Sequence, residues 1–321
     1  MSKAQADAAA SKKPPSIAGD RLERFRYLKE ILALVPYGPG ARLLSLFTGS
    51  GLVQAVFRGH KARLRAFMAE QGLKEPLKAT FARYLTCNYL AAWRLSALSR
   101  CKQADFDRWV ELRGYEIFQA LRQAGRPVIL CNSHYGSGKT ILLALMRRGH
   151  DIHSLDRQDV FSYFGIQGQG RLISINLGPR EQGFMLKQIV RARNVLADGG
   201  ILHIAGDGLR GLSGKPLPFL GRERHFPGSV AELGIATGAA ILPVFGSLDR
   251  NGRIRLDILP PLAPLAGEAA REDQVAHINA QYCAFLEARW KADPGAIFKS
   301  ELNIYAGLPK LPADTSKASQ A

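Results

Sequence analysis

The sequence predicts an α/β fold: a mixed, largely parallel central sheet flanked by helices, with a helical region ahead of it. Three observations lead there. Within residues 127–148, Val128, Ile129 and Leu130 form a short β-prone run, followed by the turn Gly136-Ser137-Gly138. Leu142, Leu143 and Met146 then recur at helical spacing as far as Gly149. Beyond this unit, strand and helix patterns alternate, as a largely parallel or mixed sheet requires. Finally, 321 residues with 46% hydrophobic and 22% charged side chains are enough to bury a sizeable core.

In chain order, residues 1–19 are rich in Ala, Ser, Lys and Pro and read as a disordered basic tail. Asp20 is a plausible N-cap for a helix with the stripe Leu22, Phe25, Leu28 and Leu32, and Pro36 ends it. A second apolar segment, 41–57, precedes the basic run 58–65. Apolar segments beside clustered Lys and Arg suit a helix lying in an anionic membrane interface, so residues 20–104 are expected to form a membrane-docking helical region. None of these segments is long or apolar enough to span a bilayer. Within this region, residues 76–100 read as one core helix. The α/β domain is expected over 105–308, with a short strand at 109–112, a helix at 115–123 and the central unit. Strands follow at 152–155, 171–175 and 201–204, with a basic helix at 183–197. A Pro/Gly-rich loop is expected from 209 to 227. A helix at 229–237, strands at 240–245 and 254–259 and a last helix at 275–290 complete the domain, and 309–321 reads as a disordered tail.

The formal net charge of +17 predicts attraction to something anionic: phospholipid, nucleic acid or an acidic carrier protein. No aromatic–basic interleaving or nucleic-acid motif accompanies it, so a nucleic-acid partner is not expected. The four cysteines are scattered without metal spacing, which excludes a zinc site and a disulfide frame.

His134 falls just after a strand and before a helix, where open α/β sheets bind ligands. A neutral imidazole there can take a proton from a hydroxyl attacking an acyl carbon, with amides of the following helix to stabilise developing charge. Asp207 ends another strand and can reach the same crevice. Arg210, Lys215, Arg222 and Arg224 lie on the adjoining loop as candidate phosphate contacts.

These residues resemble the bacterial lipid A biosynthesis acyltransferases (lauroyl/myristoyl type), within the glycerolipid and lysophospholipid acyltransferase superfamily. The resemblance runs from about 77 to 261. It rests on Ser133-His134-Tyr135-Gly136, on residues 200–207 ending in Asp207, and on the Pro-Phe-Leu-Gly221-Arg222 element. Phe226-Pro-Gly228-Ser, the run 233–245 and Leu259-Pro-Pro261 complete it. It implies a peripheral enzyme on the cytoplasmic face of the inner membrane. Such an enzyme moves a fatty acyl group from acyl carrier protein or coenzyme A to a lipid hydroxyl or amine, with the thioester as co-substrate and no other cofactor or metal. His134 would be the base, Asp207 its orienting partner, and Arg157, Arg171, Arg180, Arg210, Gly221 and Arg222 the candidate substrate contacts.

One position departs from the pattern. The family carries Asp or Glu five residues after the His, and this chain has Lys139. A carboxylate there would orient the imidazole; a cation disfavours its protonation. Three readings follow: Asp207 or Asp156 supplies the carboxylate, Lys139 binds a substrate phosphate, or the chain binds lipid or carrier without turnover. A rival of another class is a P-loop, because Gly138-Lys139-Thr140 follows a strand and opens a helix, although position 133 is Ser where the full pattern needs Gly.

Overall fold

The computed structural model describes residues 35–156, 170–176, 182–208 and 216–311, except for the side chains of 156, 176 and 182–185. The expected helix at 22–32 and most of both tails lie outside them. Helices α1 (Tyr37–Gly49), α2 (Gly51–Val56), α3 (Arg58–Glu70), α4 (Leu77–Tyr89), α5 (Ala91–Arg100) and α6 (Gln103–Trp109) come first. Then follow β1 (Val110–Arg113), α7 (Tyr115–Gln123), β2 (Val128–Asn132), α8 (Thr140–Met146), β3 (Ile152–Asp156), β4 (Leu172–Asn176), α9 (Gln182–Ala197) and β5 (Ile201–Ala205). The chain continues through β6 (Leu217–Phe219), β7 (Arg222–Arg224), α10 (Ser229–Thr237), β8 (Ala240–Leu248), β9 (Ile254–Ile258), α11 (Arg271–Ala292) and α12 (Lys299–Gly307).

Seven strands form one sheet in the order β1-β9-β8-β2-β5-β3-β4, parallel throughout except for the antiparallel β8–β9 hairpin. The fold class is therefore as the sequence predicts. The central strand β2 is buried along its whole length, as its unbroken apolar run requires with helices on both faces. Its neighbours are β5 and β8, whose apolar residues Leu202, Leu242 and Val244 are fully buried.

Two local expectations need correction. The stretch 76–100 is two helices, broken at Leu90. Its apolar spacing continues across the break, but buried Arg94 donates to Thr86 O at 2.8 Å and to Ser137 Oγ at 3.0 Å, contacts that belong to a folded-back helix pair. The stretch 209–227 is not all loop, because β6 and β7 form a two-residue hairpin. Leu220 and Gly221 both have positive φ (52° and 76°), the conformation that such hairpin turns use.

The helical region leaves Leu43, Leu46, Phe47, Leu52 and Val56 on α1 and α2 exposed, Leu52 to 85%. Arg42, Arg58, Arg63 and Arg65 around them are exposed too. No helix among the described residues is long and apolar enough to cross a membrane. At the other end of the chain, Pro309 O accepts from Glu223 N and Leu311 N donates to Gly221 O, which ties residues 309–311 to the hairpin.

Candidate active site

Register places the two sharpest candidates together. In the parallel β2–β5 pair, Asn132 stands opposite Ala205. His134 and Asp207 each lie two residues further on, so the strand period of two turns both side chains the same way at the same end of the sheet. The geometry follows. His134 Nδ1 is 2.8 Å from Asp207 Oδ1, and the His134 main-chain N–H donates to Oδ2 at 2.6 Å. The carboxylate is fully buried, while 37% of the imidazole side chain is exposed. With Nδ1 engaged, Nε2 has no hydrogen-bond partner among the described residues and is the nitrogen left for a substrate.

The turn that carries His134 is fixed from several sides. Gly136 N–H donates to Ala296 O at 2.7 Å and Ser137 N–H to Gly246 O at 3.0 Å. Gly136 has φ 57°, and a Cβ there would collide with the Gly246 carbonyl, so this position needs glycine. Tyr135 is buried beneath, its hydroxyl donating to Arg289 O at 2.9 Å.

Charge shapes the pair. Asp207's carboxylate raises the His134 pKa to about 9, against burial, with help from their hydrogen bond and from Glu301; Lys139 opposes it. Burial pushes the Asp207 carboxyl up, but His134, the hydrogen bonds and Arg224 overcome this and hold it below the ordinary carboxylate value. The pair is thus an imidazolium–carboxylate at rest and a strong base once deprotonated.

The other sequence candidates separate from this pair. Lys139 is half-buried, and its charge opposes the imidazolium where an acid would favour it. Asp156 ends β3, and its side chain lies outside the described ones. Arg171 is corrected: it precedes β4, at the opposite end of the parallel strands, and pairs with Asp151 at 2.7 Å. Arg222 is corrected as well. Its guanidinium is taken up by Glu70 at 3.0 Å and Leu308 O at 2.8 Å, so it ties α3 and the C-terminal segment to the hairpin. Gly221 serves the hairpin turn described above. Arg224, expected to hold phosphate, is instead 1% exposed and bonded to Glu301 and to the Asp207 carbonyl. Arg157, Arg180, Arg210 and Lys215 lie outside the described residues.

The loop does not make a phosphate cradle. Among the amides of 136–142, those of Gly136, Ser137, Gly138, Thr140, Ile141 and Leu142 already donate to protein carbonyls. This removes the nest that a P-loop needs, and with it the helix amides expected to stabilise negative charge.

Glu301 was not among the candidates. It sits on α12 with Oε1 4.0 Å from His134 Nδ1. Its sequence signal is an acid on the buried face shared with Leu302 and Tyr305, a stripe too short to announce a helix. His134, Asp207 and Glu301 each offer a ligand atom within 4.8 Å of the others. Yet Nδ1 is bonded to Asp207, and Glu301 Oε2 accepts from Arg224 at 2.6 Å. The Arg224 guanidinium supplies a balancing positive charge, so the three groups and Arg224 form an ionic network.

A family model described as bacterial lipid A biosynthesis acyltransferase matches residues 82–292, about two thirds of the chain, and that span includes both His134 and Asp207. No curated protein matches the chain.

Proposed function

Because the chain belongs to the bacterial lipid A biosynthesis acyltransferase family, we propose that it transfers a fatty acyl group from an acyl thioester to a lipid hydroxyl or amine, with His134 as general base. The observation that carries this reading is the 2.8 Å contact between His134 Nδ1 and a fully buried carboxylate. In the proposed step Nε2 takes the proton of the acceptor hydroxyl as its oxygen attacks the thioester carbonyl. The tetrahedral intermediate then collapses, the C–S bond breaks, and the departing thiolate receives the proton from His134. The products are an ester and a free thiol, on acyl carrier protein or coenzyme A. Asp207 holds the ring in one tautomer and stabilises the imidazolium formed along the way.

The reading of a homologue without turnover started from the missing acid at position 139. Asp207 beside His134 supplies a carboxylate, which supports the reading with turnover. Lys139 is assigned to the phosphate of donor or acceptor. Residues 20–104 are proposed to dock on the anionic cytoplasmic face of the inner membrane. In support, exposed Leu46, Leu52 and Val56 adjoin exposed Arg42 and Arg58, the mix of apolar and basic groups that an interfacial helix uses.

The test is direct. Purified protein mixed with a labelled acyl thioester and lipid acceptors in vesicles should form acylated lipid. Absence of transfer from both acyl carrier protein and coenzyme A donors, across lipid A precursors and lysophospholipids, would sink the reading.

A further inference from the structure

Glu301 belongs to α12, beyond the stretch matched by the family, and is 3% exposed. Its Oε2 accepts from Arg224 Nη2 at 2.6 Å, and the same Nη2 donates to the Asp207 carbonyl at 2.8 Å. Arg224 lies over the rings of Phe219, Phe226 and Trp290 at 5.0, 5.0 and 5.9 Å. Its Nε and Nη1 have no hydrogen-bond partner among the described residues. A cation desolvated in this way is tolerated only if its remaining bonds are firm, so Glu301 is locked where it stands. The segment leading to it is fastened to the His134 turn: Phe298 N–H donates to His134 O at 3.3 Å, and Asn88 Oδ1 accepts from Lys299 N at 2.6 Å.

We propose that Glu301, held by Arg224, is a positioning residue of the His134–Asp207 pair, a second carboxylate that takes over part of the work of the acid this chain lacks at position 139. It acts twice. Its Oε1, 4.0 Å from His134 Nδ1, stabilises the imidazolium that forms as the acceptor proton is taken. Through Arg224 it fixes the Asp207 main chain, and so the angle at which the Asp207 carboxylate meets the ring. The inference rests on His134 being the base.

The groups facing Glu301 come from four elements. They are His134 on the turn after β2, Asp207 after β5, Arg224 on β7 and buried Tyr282 on α11; the charge of Lys139 acts on His134. Burial, with Asp207's charge, raises the Glu301 pKa to about 7 against Arg224 and His134.

Two variants and two readouts test the proposal. The readouts are the titration of the His134 ring by NMR, assigned with His134→Gln, and kcat and KM for acyl transfer against pH. In Glu301→Gln the His134 midpoint should fall by about 0.5–1 pH unit, as loss of a nearby anion requires. In parallel kcat should drop about three- to tenfold with KM unchanged, the mark of a group acting on the transition state. Glu301→Asp keeps the charge but withdraws it, and should shift the midpoint about half as far. It also serves if the Gln variant does not fold. A folded variant with the wild-type midpoint and wild-type kcat would overturn the proposal. The NMR arm needs no turnover, so failure of the acyltransferase reading is seen separately, as absence of transfer in wild type.

Discussion

Asp207→Asn isolates the carboxylate without changing shape. The amide can still accept from the His134 main-chain N–H, the 2.6 Å contact that fixes the turn, but it can neither neutralise an imidazolium nor enforce the tautomer. Loss of the equivalent carboxylate in a Ser-His-Asp triad costs up to about ten-thousandfold in kcat, so a loss of about 10^3–10^4, or ~4–5.5 kcal/mol of transition-state stabilisation, is expected. Asp207 is also the leading cause of the raised His134 pKa, so the acid limb of the rate profile should move down from about 9 towards the ordinary ~6.5. Initial rates of acyl transfer from a labelled thioester to lipid in mixed micelles, taken across the pH range, give both quantities. Lys139→Glu completes the experiment. Nδ1 is already occupied, so in the wild-type background the added acid should change kcat by less than about threefold. In the Asp207→Asn background it should recover about tenfold or more, because it restores an anion beside the ring. An Asp207→Asn enzyme within about threefold of wild type, with its acid limb unmoved, would refute the reasoning.

Four further outcomes are expected. In wild type, kcat/KM should rise with pH up to about 9, because the base must be neutral and Asp207 favours its protonated form. The linked stability runs the opposite way with pH: the raised pKa stabilises the fold fully below ~6.5 and this contribution is lost as pH rises through about 9, measurable as the urea midpoint against pH. Leu46→Glu with Leu52→Glu should weaken binding to anionic vesicles about tenfold or more in a sedimentation assay while leaving the melting temperature within a few degrees, since both side chains are exposed. Gly136→Ala should destabilise by about 2–4 kcal/mol in urea unfolding, because a Cβ at φ 57° meets the Gly246 carbonyl.

The sequence made the centre of this site legible for physical reasons. An unbroken apolar run, a glycine turn and helical spacing can arise together only at a strand–turn–helix unit, which located His134. A strand ending in Gly-Asp located Asp207, and parallel pairing of β2 with β5 does the rest. What stayed hidden depends on long-range packing. Glu301 reaches His134 across a separation of 167 residues through α12, a short helix whose periodicity is too brief to read. Arg222 and Arg224 looked alike as loop cations. The hairpin gives each a carboxylate of its own, Glu70 for the first and Glu301 for the second. The break at Leu90 had no proline or glycine to announce it, because Arg94 imposes it through Thr86 and Ser137.

The central claim is that His134 is the base for acyl transfer, and His134→Ala assayed in a single turnover tests it most directly. Enzyme in excess over a labelled acyl thioester and lipid acceptor, with folding checked by circular dichroism, should give transfer slowed by about 10^4 or more. A folded His134→Ala protein that acylates lipid at the wild-type rate would contradict the account.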